Sequence, residues 1–104
     1  MLFRSRLGMI AFVQNDGLSV RTLPDGEPRN LVSGALTSPR FSPSGQWISY
    51  SQSEMYFVVS TDGSKIRRIG AADEARWSPV ADDLWIAPEG GDGIYRYRDR
   101  KSVV

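Results

Sequence analysis

Residues 39–51 have the sequence PRFSPSGQWISYS, and this stretch decides the fold. The segment 42–45, Ser-Pro-Ser-Gly, is a tight-turn signal, because proline presets φ and glycine tolerates positive φ. Side chains alternate in a strand, so Trp47 is predicted on one face and Ile48 and Tyr50 on the other. The stretch therefore predicts two strands joined by a tight turn, with bulky side chains on both faces of the second strand.

The same pattern occurs in three places along the chain. Residues 40–43, Arg-Phe-Ser-Pro, recur as Arg-Trp-Ser-Pro at 76–79, an offset of 36 residues. Residues 10–12, Ile-Ala-Phe, match Ile-Ser-Tyr at 48–50, an offset of 38. A fixed period of this size is typical of repeat architectures. The predicted units are residues 1–36, 37–72 and 73–104.

Each unit is predicted to contain four short strands separated by turns. Residues 56–59, Tyr-Phe-Val-Val, are apolar on both faces, which is typical of a strand stacked between two neighbours. The segment 70–77 contains good helix formers, but the repeat alignment places a loop and a strand there. The sequence thus predicts an all-β protein of antiparallel sheets. In the middle unit the strands are expected near 38–42, 46–51, 55–60 and 65–69.

Residues 39–51, 55–63 and 66–69 together resemble one repeat of the WD40-like, TolB-type β-propeller family (PD40-like repeats). That family's pattern is a proline, any residue, an aromatic, Ser-Pro-Asp-Gly, two spacers and an Ile-Ala-Phe-like strand. A second strand, an Asp-Gly turn and a Leu-Thr-like end follow. The middle unit departs from the pattern at Ser44, which replaces the aspartate, and the third unit has Val-Ala-Asp at 80–82 where Asp-Gly is usual. The resemblance implies three consecutive four-stranded antiparallel propeller blades.

Three blades cannot close a ring, because propellers have about four to eight blades. We therefore expect half of a six-bladed propeller that dimerisation completes, with unit 1 of one copy against unit 3 of the other. Three alternatives stay open: a fragment of a longer propeller, open faces packed on a different protein, and end faces capped by polar residues. The candidate interface residues lie at the two ends of the sequence and are Leu2, Phe3, Val103 and Val104.

The chain contains neither histidine nor cysteine, which excludes Ser-His-Asp and Cys-His catalysis and thiolate metal sites. The carboxylate pairs at 73–74 and 82–83 are interpreted as turn residues rather than as ligands. No catalytic residue, cofactor site or metal site is predicted. The net charge of +1 argues against nucleic acid as a partner, and no apolar run reaches the roughly 20 residues of a membrane span.

The sequence is compatible with two functions. The first is a non-enzymatic protein-interaction module or scaffold that self-associates to close a ring and binds an unidentified protein partner. The alternative is a propeller segment that gates substrate for a catalytic domain outside this chain; the compartment is not decided. Phe41 and Trp77 occupy the aromatic position of the repeat and are expected to pack between blades. Trp85 is the aromatic residue that fits the repeat least, and it is expected on the face opposite Leu84 and Ile86. Tyrosine alternates with arginine near the end of the chain. The candidate interaction residues are Trp85, Tyr95, Arg96, Tyr97 and Arg98.

Overall fold

The computed structural model describes residues 2–4, 8–14, 17–24, 26–88, 95–98 and 101–103, with side chains for 8–14, 17–24 and 26–87. These residues form twelve β-strands, and the described part of the chain contains no helix, hence none that could span a membrane. The strands are β1 (Leu2–Arg4), β2 (Met9–Gln14), β3 (Gly17–Thr22), β4 (Arg29–Ser33), β5 (Thr37–Phe41), β6 (Trp47–Gln52), β7 (Met55–Ser60), β8 (Ile66–Gly70), β9 (Ala72–Trp77), β10 (Asp83–Pro88), β11 (Tyr95–Arg98) and β12 (Lys101–Val103).

The strands form three separate sheets of four, and within each sheet every strand pairs antiparallel with the next strand of the chain. We call them the first sheet (β1 to β4), the middle sheet (β5 to β8) and the third sheet (β9 to β12). The all-β, antiparallel prediction is confirmed. In the middle sheet each predicted strand matches the observed one to within one residue, and the strand predicted around residues 70–77 is β9.

The turn before the second strand is built in the same way in the middle and third sheets. The Ser42 N–H donates to the Trp47 carbonyl at 2.8 Å, and the Ser78 N–H donates to the Asp83 carbonyl at 2.8 Å. Both members of the second pair stand 36 residues after those of the first. In the middle sheet Gly45 completes the turn with a φ of 78°, a value that favours glycine. The sequence repeat is therefore matched by a repeated backbone hydrogen bond.

The middle sheet is buried on both faces by the other two sheets. Ile48, Tyr50 and Val59 pack in one apolar cluster with side chains of the first sheet, among them Ala11, Leu18 and Val20. Trp47 and Val58, on the opposite face, pack in a second cluster with Ala75, Leu84 and Ile86 of the third sheet. The predicted alternation of β6 is thus confirmed. Two apolar layers hold the three sheets in a stack, since burial of apolar area is the main stabilising term.

Polar groups link neighbouring sheets around these layers. Between the middle and third sheets, Asp82 accepts hydrogen bonds from the Ser44 N–H at 3.1 Å and from the Ser44 hydroxyl. Between the first and middle sheets, the Arg29 guanidinium donates to the Thr61 carbonyl at 2.9 Å, and the Gln52 amide donates to the Ser33 carbonyl at 3.0 Å. These bonds fix the relative position of the sheets, which apolar packing alone determines less sharply.

Candidate functional site

The outward face of the third sheet carries a large exposed aromatic side chain. In β10, Leu84 and Ile86 point into the layer shared with the middle sheet and are 0% and 9% exposed, whereas Trp85 lies between them on the opposite face and is 43% exposed. Trp85 pairs with Arg76 of β9, and these two residues line a hollow of about 110 Å³ with Glu74 and Ala87. The prediction that Trp85 opposes Leu84 and Ile86 is confirmed. This face, defined by Glu74, Arg76, Trp85 and Ala87, is called the Trp85 face.

The other predicted interaction residues lie in β11 and are placed through its backbone alone. Tyr95 to Arg98 pair with β10 on one side, and Trp85 stands opposite Arg96. Arg96 to Arg98 also pair with β12 on the other side. Their side chains lie outside the described residues, so their role as interaction residues stays a prediction.

Three of the four candidate interface residues lie in edge strands of the first and third sheets. Leu2 and Phe3 lie in β1, where Leu2 pairs with Phe12 and Phe3 pairs with Ala11. Val103 lies in β12 and pairs with Arg96 of β11. Val104 lies outside the described residues. The structure places β1 in the first sheet and β12 in the third sheet, so these residues are not brought together within one chain. Their proposed meeting belongs to an assembly of two chains.

A second candidate site lies where β5 of the middle sheet meets β9 of the third sheet. A pocket of about 360 Å³ is lined by Arg40, Phe41, Arg76 and Trp77. The Trp77 indole N–H donates to the Arg40 carbonyl at 3.1 Å and joins the two strands. Phe41 and Trp77 are half-buried against the two apolar layers, which confirms the prediction that both pack between sheets. Sequence reasoning identified these aromatics and missed the two arginines beside them. We call this site the arginine pocket.

The two arginines that line the arginine pocket differ in their ion pairing. Arg76 is paired with Glu74 through its Nε atom, and both side chains are largely exposed. Arg40 is also exposed and makes no ion pair with any residue of the described ranges. No carboxylate is among the four lining residues. The pocket is therefore a basic site with two half-buried aromatic walls.

A third hollow, of about 310 Å³, lies beside the turn between β7 and β8. Here the Asp62 carboxylate accepts the Ser64 hydroxyl at 2.6 Å, the Ser64 N–H at 2.8 Å and the Ser60 hydroxyl at 2.7 Å. The two bonds from Ser64, then that from Ser60, lower the pKa of Asp62 to about 2, and Arg29 adds a smaller attraction. These are the contacts of an Asx-type turn. Asp62 therefore holds the turn, and nothing in its surroundings indicates proton transfer.

The stability of this turn should decrease at acid pH. Because the pKa of Asp62 is depressed, its contribution to folding is complete above the ordinary value of 3.8 and is lost as the pH falls through about 2. An NMR titration of the Asp62 carboxyl carbon should give a midpoint near 2. Ser64→Ala should move that midpoint toward 3.8, and Ser44→Ala, in the other turn of the same sheet, should leave it in place. A midpoint near 3.8 in the unmodified protein would contradict the hydrogen-bonded turn.

The carboxylates that the sequence pairs in two places do not form a metal site within the described ranges. Asp82 receives its hydrogen bonds from Ser44, while Glu74 pairs with Arg76. Among the described residues no three acidic side chains come together as metal ligands. Comparison with protein-family models and with curated proteins finds no match to this chain.

Proposed function

We propose that the chain is a non-enzymatic protein-binding module built from three TolB-type propeller blades, and that two copies join to complete a six-bladed ring. Three features support this proposal. Each sheet is a sequential antiparallel meander, the sheets stack face to face in chain order, and the first turn of the blade is repeated at a fixed offset. Radial repetition of such sheets is how a propeller protects its strands.

The main support for the proposal is the solvent exposure of one repeat position, compared among the three sheets. The offsets of 38 and 36 residues align Ala11, Ser49 and Trp85. Ala11 and Ser49 lie under the following sheet of the chain and are 0% and 2% exposed. Trp85 occupies the same position in the third sheet, the last of the three described sheets, and is 43% exposed. A following sheet supplied by a second copy would bury it.

The first sheet presents the complementary surface. Ile10 and Phe12 occupy the positions that Ile48 and Tyr50 hold in the middle sheet, by the offset of 38. Ile48 and Tyr50 are buried against the preceding sheet, whereas Ile10 and Phe12, in the first of the three described sheets, are half-buried. The Trp85 face of one copy is therefore proposed to pack on the Ile10 and Phe12 surface of the other. Two such head-to-tail contacts close a ring without leaving a free face.

Replacement of Trp85 by aspartate should separate the two copies. A tryptophan at the centre of an interface typically contributes at least about 2 kcal/mol, which corresponds to a dissociation constant weakened by roughly 30-fold or more. Sedimentation velocity should show the unmodified protein at twice the mass of one chain at micromolar concentration. Trp85→Asp should sediment as a single chain with an unchanged β-sheet circular dichroism spectrum.

The matched control is Val80→Asp. Val80 is 87% exposed, lies in the turn before β10 and is not one of the residues of the Trp85 face, so this variant adds the same charge outside the proposed contact. It should remain a dimer. A single-chain mass for the unmodified protein would refute ring closure by self-association, and a dimer that survives Trp85→Asp would place its contact elsewhere.

A further inference from the structure

We propose that the arginine pocket binds a carboxylate group, and that Arg40 is the residue that recognises it. The pocket is formed by positions 40, 41, 76 and 77, which are the same two positions of consecutive repeats. The second and third repeats thus each supply one arginine followed by one aromatic residue. This inference goes beyond the proposed ring, because all four lining residues belong to one chain and only Arg76 is shared with the Trp85 face that the ring would cover.

The chemistry of the lining residues favours an anion with planar oxygen pairs. A guanidinium offers donors in a fixed fork that matches a carboxylate in two parallel hydrogen bonds. Arg40 is not engaged by any acidic group of the described residues, whereas Arg76 is held by Glu74 through Nε. Arg40 is therefore the guanidinium that a ligand can bind without first breaking an ion pair.

The aromatic walls define the shape and size of the ligand. Phe41 and Trp77 are half-buried, and the bond from the Trp77 indole to the Arg40 carbonyl fixes the tryptophan beside the arginine's backbone. The pocket volume of about 360 Å³ is near the lower end of the range for small-ligand sites. It suits one acidic side chain or a small free acid.

Nucleic acid fits these observations less well than a carboxylate does. Binding to a nucleic acid backbone needs several cationic groups along a track, and its affinity comes from the release of counterions. The arginine pocket supplies two guanidiniums, one of them already paired, in a chain whose net charge is +1. A carboxylate ligand needs a single fork, which Arg40 provides.

The experiment uses the NMR signal of the Trp77 indole N–H, which lies against Arg40. The isotope-labelled 104-residue chain is titrated with the blocked peptide Glu-Glu-Glu, with the blocked peptide Gln-Gln-Gln, with citrate and with a single-stranded oligothymidylate. The glutamate peptide should shift the signal saturably, and the glutamine peptide should not. If citrate also shifts the signal, and this shift depends on Arg40, the ligand class includes free acids. If only the glutamate peptide shifts the signal, the ligand is an acidic segment of a protein.

Arg40→Gln should weaken binding of the glutamate peptide by about tenfold or more, because it removes a charged hydrogen-bonding partner. Arg67→Gln is the matched control, since Arg67 is an exposed arginine of β8 that does not line the pocket. Equal shifts by the two peptides, unchanged affinity of Arg40→Gln, or Arg40-dependent binding of the oligothymidylate alone would overturn the proposal. Sedimentation of the same samples separates the two proposals, because a single-chain protein that binds the peptide contradicts only the ring.

Discussion

Tyr50→Ala should destabilise the protein by about 3–5 kcal/mol, the usual cost of removing a large aromatic side chain from a core. Tyr50 is 2% exposed in β6 and lies in the layer between the middle and first sheets. Its ring stacks on that of Phe57, with centroids 5.4 Å apart and planes 12° from parallel. Alanine would leave a cavity and also remove the aromatic pair, which adds about 1 kcal/mol beyond area burial. A loss of this size is a large part of the stability of a small domain.

Urea unfolding followed by circular dichroism measures this effect. The matched control is Tyr50→Phe, which keeps the ring, the stacking on Phe57 and most of the buried area. It should retain most of the free energy of unfolding. Should Tyr50→Ala unfold at nearly the same urea concentration as the unmodified protein, the layer between the first and middle sheets would not be the core that the structure shows.

Gly17→Ala is expected to destabilise the protein by roughly 3 kcal/mol. Gly17 has a φ of 154°, a value that residues with a side chain rarely adopt. A Cβ built there would lie 2.2 Å from the Val32 backbone oxygen. That oxygen belongs to β4, which is paired with β3 at this point, so it cannot move without disturbing the ladder. Backbone strain and overpacking each cost about 1–3 kcal/mol.

The matched control for Gly17→Ala is Gly70→Ala. Gly70 also has a positive φ, of 122°, but a Cβ placed there meets no heavy atom within 4 Å. This variant therefore measures the backbone strain without the collision. Thermal unfolding should show a clearly larger loss for Gly17→Ala. Equal losses would mean that Val32 and its strand yield to the new methyl group.

The strands of the middle sheet could be predicted because local signals and the alternation of side chains agree there. The turn at 42–45 has proline and glycine, the turn at 61–63 ends in Gly63, and both form the backbone hydrogen bonds that those residues favour. The burial of β7 on both faces also followed from the sequence, since residues 56–59 are apolar on both faces, and Val58 and Val59 are 1% and 0% exposed. These features are local, so one strand and its flanking turns are enough to determine them.

Other features of the same sheet depend on residues that carry no usual signal. The hairpin between β6 and β7 turns at Ser53 and Glu54, which have φ values of 53° and 66° without any glycine. The irregularity in the pairing of β5 covers Ser38, whose φ is 56°, and Pro39, which has no N–H to give to the ladder. Composition predicts neither, because the pairing of the neighbouring strands imposes both conformations.

The candidate sites show the same division. The placement of Trp85 on the face opposite Leu84 and Ile86 could be anticipated from its position in the repeat. The arginine pocket could not be anticipated, because its residues come from two sheets and lie 36 positions apart in the sequence. The signal was present in the recurring Arg-aromatic-Ser-Pro motif, but its arginines become neighbours only after the sheets have stacked. The bond between Ser44 and Asp82 was hidden for the same reason.

Within the described residues, every hydrogen-bonded ladder joins strands that are adjacent in the chain, so no ladder there crosses residues 34–36 or residue 71. A whole sheet could therefore be duplicated or deleted at these links without breaking the pairing inside any other sheet. Only the packed faces and a few side-chain bonds would need a new neighbour. Evolution can thus change the length of such a chain in steps of one sheet, while the internal architecture of each sheet is inherited intact.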